Sequence, residues 1–279
     1  MVQKSRLRVG AVSFLNTKPL IYPLLNEEIQ TDIALSVDVP SRIAALLSEG
    51  ELEVGLIPII EYFRANPSDA KYCILPDISI ASHGSVKSIQ LFSRIPIPEI
   101  QRIGLDTNSR SSITLLKILL AEKYQIFPAF TTCRPTVNPK TVLQDRQDPP
   151  FDAILLIGDA ALRHLGSTEY NLDLGEAWHQ LTGLPFVYAC WVARTEAQLG
   201  DLPELLLESK VRGIARIPEI ARIEARKLGL AEELCRNYLL YYIKYDLGES
   251  AIKGLELFYK YAVKNDLAPP GRDLSFASK

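Results

Sequence analysis

Through the first two thirds of the chain, short apolar runs alternate with segments of helical spacing. The run at 7–12 is a buried-strand pattern, and Pro19 opens the next helix, since proline suits a first helical turn. Residues 33–39 alternate again, and 41–47 follow helical spacing up to the stop at Gly50. Residues 54–57 read as a third strand, with Pro58 starting the helix that reaches Arg64. A second series follows: a longer strand at 86–94, the proline-spaced connector IPIPEI, a strand at 102–106 and a helix at 111–124. A strand at 151–157, a helix from Asp159 and a long strand at 186–194 complete it. From Glu196 onward the pattern is helical, as in Ile252, Leu255, Phe258, Tyr261 and Ala262.

Such alternation predicts an α/β fold with parallel-rich sheets covered on both faces. Two long strands near 86–95 and 186–195 suggest a hinged pair of lobes with a cleft between them. Residues 1–90 plus 190–279 would form lobe 1, carrying the helical C-terminal third, and 91–189 an inserted lobe 2. Ligands of open α/β sheets sit at the carboxyl ends of strands, beside helix N-termini.

Composition narrows the function classes. The 279 residues carry 31 Lys and Arg against 33 Asp and Glu, so no basic excess exists to match nucleic-acid phosphates. Cys73, Cys133, Cys190 and Cys235 form no CxxC pair, which removes a zinc ribbon or thioredoxin motif and suggests a reducing compartment. No stretch approaches the ~18 apolar residues of a bilayer span. Lys4, Arg6 and Arg8 imitate the start of a secretory signal, but the segment after them is broken by Gly10 and Ser13, and a first strand fits it better. A cytoplasmic protein without membrane or nucleic-acid partners is the expectation.

Four polar clusters fall where strands should give way to helices. Ser13, Asn16 and Thr17 precede Pro19; they are either an N-cap or a group in which Asn16 presents donor and acceptor to a ligand. Ser82, His83, Gly84 and Ser85 form a small-residue turn that is either structural or open to a close approach; a lone loop histidine is more often solvated than catalytic. The run Asp106-Thr107-Asn108-Ser109-Arg110-Ser111-Ser112 gathers hydroxyls, a guanidinium and the positive end of a helix, suited to an anion or to a simple capping box. It lacks the glycines and Gly-Lys-Ser/Thr ending of a phosphate loop, so a carboxylate fits better. Gly158-Asp159 ends an apolar strand, Asp159 as a cap and Gly158 as a point of close approach. HExxH, GxSxG and GxGxxG are absent, and His83, His164 and His179 have no metal-ligand spacing. Composition and spacing alone stop at a two-lobed binder of a small carboxylate.

Six ordered blocks carry the reading further: VGAVSFLNTKPL, LLSEGELEVGLIPIIEYFR, SHGSVKSIQLFSR, LDTNSRSSITLLKILL, DAILLIGDAAL and LDLGEAWHQLTGLPFVYACWVAR. Together, from about residue 7 to 194, they resemble the chorismate dehydratases of the futalosine route to menaquinone. The resemblance implies a periplasmic-binding-protein-like type II fold and dehydration of chorismate to 3-[(1-carboxyvinyl)oxy]benzoate, with no metal or organic cofactor. By motif match Asn16 and Ser85 would be the catalytic polar residues. Ser13, Thr17, Ser82, Gly84, Ser109, Arg110, Ser111, Ser112, Gly158 and Asp159 would bind substrate. None of the carried-over positions is an evident base, so the substrate's own enolpyruvyl carboxylate, held by Asn16 and Ser85, would take the proton, with Asp159 or His83 as rivals. The related 1,4-dihydroxy-6-naphthoate synthase and a non-catalytic carboxylate receptor are the alternatives.

Overall fold

Ten strands pair into two separate five-stranded sheets. The computed structural model describes residues 6–65, 71–106, 110–133, 138–144 and 151–277. In the first sheet β1 (Leu7–Val12) lies between β2 (Ile33–Asp38) and β3 (Val54–Pro58), all parallel. β4 (Tyr72–Ser82) and β10 (Phe186–Arg194) extend it in the order β2-β1-β3-β10-β4, with β10 antiparallel to both neighbours. The second sheet runs β7-β6-β8-β5-β9. There β6 (Arg102–Asp106), β7 (Ala129–Cys133) and β8 (Ala153–Ile157) are parallel, and β5 (Ile89–Ser93) is antiparallel to β8 and to β9 (Tyr170–Asp173). The chain thus crosses between sheets at 83–88 and again at 174–185. β3 and β8 are buried at every position, which is why they read as continuous apolar runs, whereas β2 and β7 are mostly exposed edge strands.

Helices α1 (Lys18–Leu25), α2 (Pro40–Ser48) and α3 (Ile59–Arg64) follow the strands of the first sheet. α4 (Arg110–Leu119), α5 (Pro139–Val142), α6 (Gly158–Arg163) and α7 (Leu174–Thr182) follow those of the second. The C-terminal third folds into α8 (Leu202–Ala215), α9 (Ile217–Leu228), α10 (Glu232–Asn237) and α11 (Glu249–Lys264). α8 packs on α1 and β4, while α11 lies on β10 and also touches α4, so this third contacts elements of both sheets. Among the described residues no helix is long and apolar enough to cross a membrane.

Three elements differ from the sequence pattern for identifiable reasons. β4 is a full strand in a stretch to which the sequence pattern assigned no element; Asp77 takes a φ of 67°, and the irregularity is absorbed as a register shift against β10. The strand expected at 86–94 begins only at Ile89, because the Asp173 carboxylate accepts the Val86 and Lys87 N–H groups and Lys87 has a φ of 64°. The helix expected to reach Tyr124 ends at Leu119 and widens into one looser turn, closed by Gln125 in the left-handed region.

The α1–α8 contact depends on a missing side chain. A Cβ on Gly213 would overlap the Pro19 carbonyl, and Ser209 Oγ donates to Leu20 O at 2.7 Å beside it. Because the obstacle is backbone, the helices must separate to admit a methyl group. Gly213→Ala is expected to destabilise by about 1–3 kcal/mol, and thermal melting should record it as a drop of several degrees.

Candidate active site

The carboxyl ends of β1, β3 and β8 converge on one cavity between the sheets, which leaves about 520 Å³ free of protein atoms, part of it open to solvent. Much of the lining is apolar: Val12, Phe14, Pro40, Pro58, Ile80 and Ala189 come from the first sheet and its loops, and Ile89 and Ile157 from the second. The polar lining is Asn16, Ser88, Tyr188, Arg110, Ser111 and Ser112. Among the described residues of this lining Arg110 alone carries charge, and no histidine, lysine, aspartate or glutamate occurs.

Each polar residue is held by what surrounds it. Asn16 sits in the turn between β1 and α1, with buried Thr17 beneath it donating from Oγ1 to Asn16 Oδ1 at 3.4 Å. The preceding residue is tied across the cleft: Leu15 N–H donates to Asp159 Oδ1 at 3.1 Å. Burial raises the Asp159 carboxyl above its ordinary range, and the Leu15 bond opposes that shift. Asp159 therefore ties the turn after β1 to the start of α6 and is not itself on the described lining. Gly158 forms the wall beside it with a φ of 58°, and a Cβ there would sit 3.1 Å from the Phe14 ring, so both backbone conformation and space call for glycine.

α4 points its first turn at the cavity, where helical N–H groups have no intrahelical acceptor. Arg110 Nη1 bonds Glu61 Oε2 at 3.0 Å, which steadies the guanidinium while leaving its other donors. Ser111 Oγ accepts from Ile60 N at 3.2 Å, so its own proton remains available. On β10, Tyr188 reaches Ser82 Oγ at 3.0 Å; Ser82 donates to Gly84 O, so the phenol is the donor of that pair. Burial pushes the Tyr188 phenol well up, and it stays neutral.

The two crossover segments meet at Asp173. Its carboxylate accepts from Ser85 Oγ at 2.6 Å, Val86 N at 3.0 Å, Lys87 N at 2.8 Å and Gln90 Nε2 at 2.8 Å. It also caps α7 through Gly175 N at 3.0 Å and Glu176 N at 3.1 Å. Ser85, expected as a catalytic residue, is thus engaged outside the cavity lining. The serine of this crossover that lines the cavity is Ser88, three residues on, whose carbonyl accepts Gly158 N at 2.7 Å and whose Oγ accepts from Tyr238 OH at 2.7 Å.

Of the other residues singled out from sequence, Asn16, Arg110, Ser111, Ser112 and Gly158 are brought together on the lining. Thr17, Ser82 and Asp159 support it from behind. Ser13 and Gly84 do not reach it: Ser13 N–H pairs with Asp38 O, and Gly84 turns the chain with a φ of 88° under Glu176. Ser109 lies outside the described residues. His83 is exposed and stacks edge-on against His179 at 4.6 Å. Sequence reasoning missed Ser88, Tyr188 and Asp173; the local signal for them was a hydroxyl or carboxylate interrupting an apolar run, which many surface residues share.

The sequence profile of the family described as Menaquinone biosynthesis matches residues 7–264. A chorismate dehydratase of Thermus thermophilus is 32% identical over 274 residues, covering 90% of this chain and 93% of that protein. Among solved structures, a protein of Archaeoglobus fulgidus superposes with a TM-score of 0.74 at 19% identity, covering 95% of this chain and 99% of that one. The MOPS-bound alkanesulfonate-binding protein SsuA of Xanthomonas axonopodis pv. citri gives 0.71 at 14% identity, covering 98% and 97%. The fold is that of the periplasmic binding proteins, with two five-stranded sheets. The ordered motifs, this fold and the profile match spanning nearly the whole chain agree, and the chain belongs to the menaquinone-biosynthesis family.

Proposed function

We propose that this chain is a hydro-lyase that converts chorismate to 3-[(1-carboxyvinyl)oxy]benzoate. The relative from Thermus thermophilus bears that activity in its name, and the lining of the cavity supports the same chemistry. Chorismate loses the hydrogen of carbon 3 and the hydroxyl of carbon 4, and the ring becomes aromatic. The departing proton is activated through a double bond by the ring carboxylate, so further negative charge develops there. Arg110, Ser111, Ser112 and the first turn of α4 are donors suited to that carboxylate, each of the kind worth about 3–4 kcal/mol when preorganised. The apolar lining formed by Val12, Ile80, Ile89 and Ile157 suits the ring.

The observation that carries this reading is the charge pattern of the lining: among the described residues it offers donors and one arginine, with no histidine, lysine, aspartate or glutamate to take the proton. The substrate's enolpyruvyl carboxylate is then the base, held by Asn16 and Ser88 in reach of carbon 3. Such an arrangement makes the transfer intramolecular, for which effective molarities reach about 10⁵–10⁸ M. The proton leaves with the carbon 4 hydroxide as water, which balances the reaction.

Purified protein and chorismate decide the matter by ultraviolet absorbance and product mass. The expected result is an aromatic product lighter by one water. Chorismate returned unchanged indicates a binding protein, in line with the fold's similarity to SsuA. Inertness toward chorismate with turnover of a cyclic futalosine-type substrate indicates the naphthoate synthase relative. Because the proposed base is a carboxylate, kcat should be flat through the histidine range, about pH 5.5–7.5; a titrating step there would place a protein group in the reaction, a histidine or Asp159 with its raised carboxyl.

A further inference from the structure

We propose that Tyr238, on the C-terminal helical segment, is a positioning residue that turns the Ser88 hydroxyl into a hydrogen-bond donor aimed at the substrate. This rests on the dehydratase reading above.

Tyr238 opens the turn after α10, and its side chain is 1% exposed. It lies 150 residues from Ser88 in sequence, yet its hydroxyl donates to Ser88 Oγ at 2.7 Å. A serine oxygen that has accepted this proton must direct its own elsewhere. Among the described residues no acceptor takes it, and Ser88 belongs to the cavity lining. The remaining direction is toward the ligand. The Asn16 side chain is a polar neighbour of the same phenol and acts to lower its pKa, against the larger effect of burial. The series of donors thus runs from Tyr238 to Ser88 and ends at the cavity. Donors arranged in series polarise one another, and a buried series of this kind is preorganised before substrate arrives.

The phenol keeps its proton throughout. Burial raises its pKa, and the Asp159 and Asp173 carboxylates reinforce that direction. Tyr238 therefore serves as a fixed donor, with no share in proton removal. The arrangement also gives the C-terminal third a part in the site beyond covering the first sheet: it sets the polarity of a residue at the crossover between the two.

Steady-state kinetics of Tyr238→Phe, Ser88→Ala and the double variant on chorismate test the proposal. Tyr238→Phe should lower kcat about 10- to 100-fold, with KM within about twofold of wild type. The double variant should lose no more than Ser88→Ala alone, since Tyr238 acts through that hydroxyl. Wild-type kcat in Tyr238→Phe overturns the proposal, and so do losses that multiply independently in the double variant. Wild-type protein inert toward chorismate overturns the dehydratase reading and this inference with it, whereas an active wild type beside an unaffected Tyr238→Phe overturns only the role of Tyr238. Should Tyr238→Phe fail to fold, 3-fluorotyrosine placed at 238 keeps the shape and strengthens the donor. A changed kcat then supports the proposal, and an unchanged one overturns it.

Discussion

Asn16→Ala and Ser88→Ala are each expected to lower kcat on chorismate by about 10²–10³-fold, the range found on removing a donor aimed at developing charge. Ser85→Ala and His83→Ala should stay near wild type. Asn16 and Ser88 stand on the lining of the cavity, whereas Ser85 donates to Asp173 and His83 is exposed beside His179. The two serines differ also in what else they lose. Ser88→Ala leaves the buried Tyr238 hydroxyl without its acceptor, at about 1–3 kcal/mol of stability. Ser85→Ala removes one bond to a carboxylate that retains several others. Thermal melts run beside the kinetics separate lost chemistry from lost structure. The opposite outcome, abolished turnover in His83→Ala with Asn16→Ala and Ser88→Ala intact, would make the histidine the base.

Asp173→Ala should be the most damaging single change to stability. One carboxylate joins the two crossovers, accepting the Ser85 hydroxyl, the Val86 and Lys87 N–H groups, the Gln90 amide and the first N–H groups of α7. Removing it deletes a helix cap worth about 1 kcal/mol and strips several partly buried donors of a charged acceptor, each at about 1–3 kcal/mol where water cannot replace it. A total near 3–5 kcal/mol is expected, at the upper end for a point substitution. Thermal melting should show a drop of about 10 °C. Asp173→Asn keeps one oxygen acceptor and should fall between. An unchanged midpoint in Asp173→Ala would mean that water supplies these donors as well as the carboxylate does.

Much of the fold was legible because it depends on local pattern. β1, β3, β8 and β10 are central and covered on both faces, so their residues must be apolar in sequence, and the runs stand out. Pro19 marks a helix start for the same local reason. β7 and β9 were not legible, since an edge strand buries little and carries no run. β4 was hidden by Pro76 and Asp77, which form a bulge only because β10 is there to pair around it.

The candidate site divides along the same line. Sequence alone determined that polar loops follow buried strands, which made Asn16 and the start of α4 candidates for the mouth of a cleft; the structure brings them onto one lining. Which serine of the SHGSVKS run faces that cleft was decided only by tertiary structure. The left-handed turns at Gly84 and Lys87 rotate the segment, Asp173 captures Ser85 from 88 residues away, and Tyr238 meets Ser88 from 150. A hydrogen bond spanning such a separation leaves no periodicity in the chain, because only the closed fold brings its two ends together.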